Sequence, residues 1–257
     1  MSDPTGRIGG VTTIAVPYHL DERLPGLTTG GPVDRELTAD LPAGTPWERM
    51  AVLYGRVATV VAAAPDRPLV VSGDCTTSLG VLAGLQRAGR DAGIVWFDAH
   101  ADFHTEATTA SGYLGGMPLA LAAGIGTPTL PDALGLRPVP PERVVLVDAR
   151  DTDPPEHRLL DEAAVARRTV AGLSAADLPA GELYLHVDLD VCDPGDVPDL
   201  LFPVPGGPPL EEVLAAVGRV LATGRVVAVG LAATWHPGRS AAAHERVIAA
   251  VRALVDR

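Results

Sequence analysis

The stretch Gly93–Asp102 constrains the fold of this chain more than any other. Four apolar residues lead directly into the pattern Asp-x-His-x-Asp, formed by Asp98, His100 and Asp102. A short apolar run flanked by glycine is typical of a buried parallel strand. Because alternate residues of a strand point to the same side, the three polar side chains share one side if the extended backbone continues to Asp102.

A second stretch, residues 182–190, has the same character. It is an apolar strand that ends in Asp188 and Asp190. A single acidic strand end is also explained by a helix cap or a solvated turn, but two on apolar strands are not. Open α/β sheets bind ligands at the carboxyl ends of their strands, and closely spaced carboxylates need a cation there. The pair of stretches therefore predicts a site for a hard divalent metal.

Composition limits the classes of protein that remain. A length of 257 residues predicts one α/β domain over residues 1–257, and the hydrophobic fraction of 47% suits buried strands and packing helices. The net charge of −12 argues against nucleic acid or an anionic membrane as a partner. Two cysteines do not make a disulfide framework, and no run approaches the ~20 apolar residues of a membrane span. We expect a cytoplasmic protein without a signal region.

Strand and helix patterns alternate along the chain, which predicts a parallel sheet covered on both faces. Thr76 or Thr77 is expected to cap a helix. The aperiodic segment 20–46 is expected to be a long loop, and such loops are often lids. Strands are predicted at 11–16, 69–75, 93–98, 144–147, 182–190 and 226–231, and helices at 46–64, 76–88, 117–123, 154–168, 210–222 and from 240 onward.

Five ordered motifs resemble those of the ureohydrolases, the superfamily of arginase, agmatinase and formimidoylglutamase. The resemblance covers roughly residues 10–250 and implies a three-layer α/β/α fold with an eight-stranded, mostly parallel sheet. It also implies two Mn²⁺ per chain and hydrolysis of a C–N bond in a linear amidine. A homo-oligomer is implied as well, since members of the family form trimers and hexamers. The motifs are Ser72-Gly73-Asp74-Cys75, Phe97-Asp98-Ala99-His100-Ala101-Asp102, Ser111-Gly112-Tyr113-Leu114-Gly115-Gly116-Met117-Pro118, Arg150-Asp151-Thr152-Asp153-Pro154 and Val187-Asp188-Leu189-Asp190.

The resemblance assigns a role to each metal ligand. Asp98 and Asp188 would bridge the two metals, Asp102 would complete one coordination shell, and His100 and Asp190 would complete the other. Between two cations ~3.5–4 Å apart a water loses a proton near neutral pH, and the resulting hydroxide attacks the amidine carbon. Asp102 would hydrogen-bond this nucleophile and pass a proton to the leaving amine.

Cys75 departs from the family pattern, which usually has a histidine ligand at this position. A thiolate is softer than imidazole and favours Zn²⁺ or Fe²⁺ over Mn²⁺. Alternatively, Cys75 is a buried residue that leaves one metal short of a ligand. Cys75 and the sequence of residues 113–117 resemble those of the N-hydroxyarginine hydrolase branch of the family.

Two further departures concern the substrate. Gly115 stands where arginases carry a proton-shuttling histidine, and His104 is either a substitute shuttle or a rim histidine. Ala233 or Thr234 stands where arginases and agmatinases place a glutamate that receives the guanidinium. Because a guanidinium desolvated without that partner is costly, we expect a less basic amidine, such as a formimino or N-hydroxyguanidino group.

Residues on the loops complete the expected substrate site. Asp153 and Glu156 lie where arginases hold an α-amino group, although Asp153-Pro154 also suits a helix start and Glu156 its first turn. Ser111 and Thr234 are placed in the substrate site by the resemblance. Cys192 and His186 are expected to be packing residues, and whether His236 lines the mouth is left open.

Three functional classes follow. The first is a two-metal amidine hydrolase, which the retained Asp and His ligands favour. The second is a mononuclear or zinc-type hydrolase of another C–N bond, and the third is a catalytically silent metal-binding relative. A dinucleotide-binding dehydrogenase and a serine hydrolase are disfavoured because neither Gly-x-Gly-x-x-Gly after the first strand nor Gly-x-Ser-x-Gly occurs.

Overall fold

A parallel sheet of eight strands forms the centre of the molecule. The computed structural model describes residues 10–232, 235–236 and 238–257. The strands, in chain order, are β1 (Val11–Val16), β2 (Tyr18–His19), β3 (Glu22–Arg23), β4 (Arg35–Glu36), β5 (Arg67–Ser72), β6 (Gly93–His100), β7 (Val144–Asp151), β8 (Ala166–Arg168), β9 (Leu183–Asp188) and β10 (Val226–Ala232). The sheet order is β4-β1-β5-β10-β9-β6-β7-β8, and β2 and β3 form a separate antiparallel pair. All pairings within the large sheet are parallel, which confirms the predicted architecture.

Helices cover both faces of this sheet. They are α1 (Pro46–Ala62), α2 (Thr77–Arg87), α3 (Pro118–Ala122), α4 (Thr129–Leu134), α5 (Pro154–Glu162), α6 (Leu210–Leu221) and α7 (Ala241–Val255). Strand β6 shows why both faces are buried: Ile94 and Trp96 belong to one hydrophobic core, and Val95 and Phe97 belong to the other. Since successive side chains of a strand point to opposite faces, a continuous apolar run requires two covered faces. The three-layer α/β/α fold follows.

Several predicted boundaries are wrong. The helix expected at 154–168 ends at Glu162, because Ala164 takes a left-handed conformation (φ 55°) that interrupts it. Residues 166–168 instead form the edge strand β8, paired with Val145–Val147 of β7. The expected loop 20–46 contains the short strands β3 and β4. Helix α4, which was not predicted, lies between α3 and β7.

The start of α2 also differs from expectation. Thr76 occupies the cap position, but its side chain makes no capping hydrogen bond. Its hydroxyl hydrogen-bonds to Asp74 and to Tyr54 instead. The turn after β5 is therefore held by buried side chains rather than by a helix cap.

The sheet order gathers the acidic strand ends. Strands β10, β9 and β6 are consecutive neighbours, and β5 lies beside β10. Since all run in one direction, the chain segments that follow β5, β6 and β9 emerge at the same edge. Among the described residues, no helix is both long and apolar enough to cross a membrane.

Candidate metal centre

Four aspartates and a histidine meet at the carboxyl edge of the sheet. His100 Nδ1 lies 2.9 Å from Asp190 Oδ2 and 3.5 Å from Asp98 Oδ1. Asp190 Oδ1 accepts a hydrogen bond from the backbone N–H of Ala99 at 3.0 Å, which connects the ends of β9 and β6. Asp188 and Asp102 lie in the same cavity, and both are buried. The structure therefore brings together the five Asp and His side chains that the sequence predicts as ligands.

Asp102 reaches the cluster by a route that period-2 alternation does not describe. Strand β6 ends at His100, and Asp102 has a left-handed backbone conformation with φ 52°. Its carbonyl oxygen accepts hydrogen bonds from Leu119 and Ala120, which ties this turn to α3. The extended backbone therefore does not continue to Asp102, although the side chain does reach the site.

Burial and mutual repulsion raise the pKa values of the clustered carboxyl groups. The pKa of Asp98 rises to about 7, because of burial and because of the neighbouring Asp190 carboxylate. Burial also raises the pKa values of Asp102 and Asp188 well above their usual range. Burial opposes protonation of His100, but hydrogen bonds to Asp190 and Asp98 raise its pKa to about 12. Protons and divalent cations thus compete for the same oxygen atoms.

Cys75 follows β5, which lies on the other side of β9 from β6, and it joins the cluster from that side. Its buried Sγ lies 2.9 Å from Asp188 Oδ2 and 3.8 Å from Asp98 Oδ2. Burial, together with the aspartates, raises the pKa of the thiol well above its usual value. Cys75 is one of two described cysteines, both of which are buried and free.

His186 is the residue of the centre that sequence analysis missed. Expected to be a packing residue, it does stack on Trp96, with ring centroids 3.7 Å apart. It also places Nε2 only 3.3 Å from Cys75 Sγ. Burial lowers the pKa of His186 to about 3, so the imidazole is neutral near pH 7. The signal was available, because His186 lies two residues before Asp188 and so points to the same side of β9.

A cavity of about 400 Å³ opens above the cluster. His104 lies on its wall, with Nε2 3.6 Å from Asp153 Oδ2 and 3.9 Å from Glu156 Oε2. Asp153 caps α5 through a 3.0 Å bond from the Glu156 N–H, and Glu156 accepts a bond from the Phe103 N–H at 2.9 Å. Ser111 lines the exposed rim. Both helix-start roles foreseen for Asp153 and Glu156 are present, and both residues also face the cavity.

The remaining substrate-site expectations have different outcomes. Thr234 lies outside the described residues, as does Ala233. His236 is exposed and is not part of the cavity wall. No residue of 20–46, all of which are described, lines the cavity either, so the lid expectation gains no support. Cys192 is buried in the core of α6 and α7, as expected of a packing residue.

Tyr113 closes the side of the cavity next to Gly115. A Cβ added at Gly115 would lie within 2.5 Å of the Tyr113 hydroxyl oxygen, so the phenol occupies the space over this glycine. The hydroxyl hydrogen-bonds to His19 Nε2 at 2.7 Å, and the ring contacts Phe202 at a centroid distance of 5.1 Å. The space above Gly115, where the family pattern has a histidine side chain, is thus filled by the aromatic ring of Tyr113.

Comparison with known proteins identifies the lineage. A sequence profile of the arginase family matches residues 31–252. The chain belongs to the arginase family. The arginase of Bacillus subtilis (strain 168) is 36% identical over 157 residues, which are 54% of this chain and 52% of that protein. The N(omega)-hydroxy-L-arginine amidinohydrolase of Streptomyces lavendulae is 34% identical over 193 residues, which are 73% of this chain and 66% of that enzyme.

The structural comparison extends further along the chain. The arginase of Bacillus caldovelox superposes with a TM-score of 0.82 at 25% identity, covering 96% of this chain and 98% of that one. In the sequence comparisons, by contrast, the chain spans about half the length of the curated arginases that it matches. The expected membership of the ureohydrolase superfamily is confirmed.

Family membership implies a binuclear metal centre, and the residues present fit one. Among the described residues, the buried Oδ2 of Asp102 has no hydrogen-bond partner, and an unpaired buried carboxylate oxygen is costly. Two groups of donors have atoms within 4.8 Å of one another: Asp98, His100 and Asp190, and Cys75, Asp98 and His186. Asp98 belongs to both groups, as a bridging ligand must.

Proposed function

We propose that this protein is a metal-dependent hydrolase that cleaves a C–N bond in a linear amidine carried by an amino acid. The observation that carries the proposal is the convergence of Asp98, His100, Asp102, Asp188 and Asp190 in one buried cluster beneath a cavity. The cavity volume of about 400 Å³ suits a small substrate. Membership of the arginase family supports the same reaction class.

We assign the metal ligands as follows. Two divalent ions would share Asp98 and Asp188, His100 and Asp190 would hold one of them, and Asp102 and Cys75 would hold the other. Mn²⁺ agrees with the oxygen-rich donors, while Cys75 admits Zn²⁺ or Fe²⁺. When bound, such ions supply Lewis acidity and lower the pKa of water.

Asp102 is the proposed proton carrier. Its unpartnered Oδ2 is a free acceptor within the cluster, and burial shields it from bulk water. The side chain takes a proton from the attacking water and delivers it to the leaving amine nitrogen. The left-handed turn at Asp102, held by two backbone bonds to α3, keeps the carboxylate in place during this transfer.

The part of the cavity wall formed by Asp153, Glu156 and His104 supports recognition of the α-amino group of an amino acid. Asp153 and Glu156 present carboxylates beside His104, and a substrate ammonium group would be attracted to this pair. Ser111 offers a hydroxyl at the rim, and we assign Thr234 to the substrate site from sequence alone. His104, half-buried in the cavity wall, would contact the substrate and exchange protons with solvent.

The substrate is proposed to be less basic than arginine. Residues 226–237 contain no acidic side chain that would receive a guanidinium. A formimino or N-hydroxyguanidino group loses less hydration on entering such a pocket. The similarity to the Streptomyces lavendulae amidinohydrolase supports this choice.

The test is a substrate panel with the metal-loaded protein. Arginine, N-hydroxyarginine and formiminoglutamate are compared by kcat/KM, with products identified by mass spectrometry. One of the less basic substrates is expected to exceed arginine by at least about tenfold, or about 1.4 kcal/mol of transition-state binding. Asp102→Asn, which retains the shape of the side chain, is the inactive control. Comparable rates on arginine would overturn the substrate preference, and no hydrolysis of any amidine would overturn the reaction class.

We propose that the enzyme is a cytoplasmic homo-oligomer. The two free, buried cysteines agree with a reducing compartment such as the cytoplasm. A homo-oligomer is proposed from the family resemblance, and gel filtration tests it directly.

A further inference from the structure

The centre contains a sulfur and an imidazole on the side that faces the core. Cys75, Asp98 and His186 bring one ligand atom each within 4.8 Å of the others, and all three side chains are buried. His186 has no place in the ligand assignment proposed above. We propose that Cys75, His186 and Asp98 form a nitrogen–sulfur subsite for a soft divalent ion such as Zn²⁺, so that the protein holds two chemically different metals side by side. The inference rests on the proposed function only for the second, oxygen-rich subsite.

The distances suit a tetrahedral ion. Zinc bonds of ~2.3 Å to sulfur and ~2.0–2.1 Å to nitrogen or oxygen place neighbouring ligand atoms ~3.3–3.6 Å apart. Cys75 Sγ lies 3.3 Å from His186 Nε2, 3.8 Å from Asp98 Oδ2 and 2.9 Å from Asp188 Oδ2. Asp188 would supply the fourth ligand, and in this arrangement His186 takes the place beside Cys75 that is assigned above to Asp102. Against that range, the Asp98 separation is about 0.2 Å too long and the Asp188 separation about 0.4 Å too short.

Asp98 divides its two oxygen atoms between the two subsites. Oδ1 faces His100, whose Nδ1 lies 3.5 Å away and whose backbone N–H donates to it at 2.8 Å. Oδ2 faces Cys75 and accepts a hydrogen bond from Trp96 Nε1 at 3.1 Å. A carboxylate oriented in this way bridges an imidazole–carboxylate site and a thiolate–imidazole site.

A buried hydrogen-bond chain orients His186 for this role. Nδ1 lies 3.0 Å from Ser78 Oγ, which accepts a bond from the Tyr184 hydroxyl at 2.8 Å. Metal-binding histidines commonly donate their second ring N–H to such a group, which leaves the other nitrogen free as a ligand. This series of hydrogen bonds requires glycine at position 230, because a Cβ on Gly230 would collide with the Tyr184 hydroxyl. With Nδ1–H donated to Ser78, the lone pair of Nε2 points at Cys75.

Chemical hardness then separates the two metals. Thiolate and imidazole select Zn²⁺, Co²⁺ or Fe²⁺, whereas the carboxylates of the neighbouring subsite accept Mn²⁺. Cys75 binds as a thiolate, so its proton leaves to the buffer when the ion enters.

Cobalt titration of the metal-free, full-length protein tests the subsite without an activity assay. One equivalent of Co²⁺ is expected to produce a near-ultraviolet thiolate-to-cobalt band together with tetrahedral visible bands. The thiolate band is expected to disappear in Cys75→Ser and to persist in Cys192→Ser, the matched control in the other buried cysteine. Absence of the band from the unmodified protein would overturn the inference.

The His186 assignment needs its own variants. His186→Gln is expected to keep the thiolate band, to change the visible bands and to lower zinc affinity. Ser78→Ala, which leaves all ligands in place, is expected to lower zinc affinity by roughly 10–100-fold. Circular dichroism confirms that each variant is folded. Unchanged visible bands and zinc affinity in folded His186→Gln would show that this residue only packs.

The test of the nitrogen–sulfur subsite can fail or succeed independently of the test of amidine hydrolysis. His100→Asn and Asp190→Asn are expected to abolish amidine hydrolysis while the thiolate band remains. A protein that shows the band but hydrolyses no amidine retains the nitrogen–sulfur subsite and loses the proposed function.

Discussion

Tyr113 shows how a single glycine changes the wall of the cavity. Gly115→Ala is expected to displace the phenol, because the new Cβ would lie within 2.5 Å of its hydroxyl, and to break the bond to His19. Displacing a cavity wall by about 1 Å costs up to ~100-fold in catalysis, so we expect kcat/KM to fall roughly tenfold or more. Gly116→Ala is the control, since its Cβ would approach nothing closer than His104 Cδ2 at 3.9 Å. Equal kinetic effects in the two variants would contradict this account of Tyr113.

Asp153 combines a structural and a binding role, and two substitutions separate them. Asp153→Ser keeps an acceptor for the Glu156 N–H, whereas Asp153→Ala removes the helix cap and should cost about 1 kcal/mol of stability. Both remove the carboxylate that we assign to the substrate ammonium group. Both should therefore raise KM while metal content stays unchanged, and only the alanine variant should lower Tm. Metal loss in the serine variant would place Asp153 in the metal centre instead.

The residues of the metal centre differ in how far the sequence predicts their positions, for physical reasons. Asp98, His100 and Asp188 were predictable because alternation along a strand is local. Asp190 lies beyond the end of β9, in a short 3-10 turn over Leu189–Val191, so alternation does not describe its position. His186 obeys the same alternation, but an apolar context favoured packing, and only the adjacency of β5 and β9 to β10 brings it to Cys75. Contacts between distant segments of this kind depend on strand order, which a single sequence does not specify.

At the level of elements, the packing of α1 against α2 depends on glycine. A Cβ at Gly84 would lie 2.7 Å from the Ala58 carbonyl oxygen and 2.7 Å from Val61 Cβ. Since backbone atoms cannot move aside cheaply, Gly84→Ala should destabilise the protein by about 1–3 kcal/mol. Gly55→Ala on α1 meets nothing within 4 Å and should be neutral or stabilising by up to ~1 kcal/mol. Urea denaturation measures both, and similar stabilities would contradict close packing at Gly84.

The predicted elements succeeded where periodicity is strong and failed at edges. Strand β1 and the core of β6 were located from their apolar runs. Residues 163–168 were assigned to a helix because nothing in the local sequence marks the left-handed turn at Ala164. The edge strand β8 is specified by its pairing with β7, a tertiary contact that overrides local preference.

The whole molecule concentrates negative charge at one edge of its sheet. The chain carries a net charge of −12. Buried carboxylates lie at or just beyond the carboxyl ends of three strands: Asp74 after β5, Asp98 and Asp102 at β6, and Asp188 and Asp190 at β9. Parallel strands with short apolar interiors create this arrangement, because every strand delivers its polar end to the same edge. Folding therefore brings like-charged carboxylates together, and bound cations relieve the repulsion between them.

Metal stabilisation should consequently depend on pH. The pKa of Asp98 is about 7 in the fold against a usual 3.8, so its protonation favours the metal-free native state below pH 4, and that contribution is lost as pH rises through 7. Divalent ions bind the deprotonated carboxylates of the folded chain, so the gain in Tm on adding metal should increase between pH 5 and 8. Scanning calorimetry with Mn²⁺ or with a chelator, at matched ionic strength, measures the difference. Asp98→Asn should reduce the gain and flatten its pH dependence, whereas a gain independent of pH in the unmodified protein would mean that the clustered carboxylates are not the ligands.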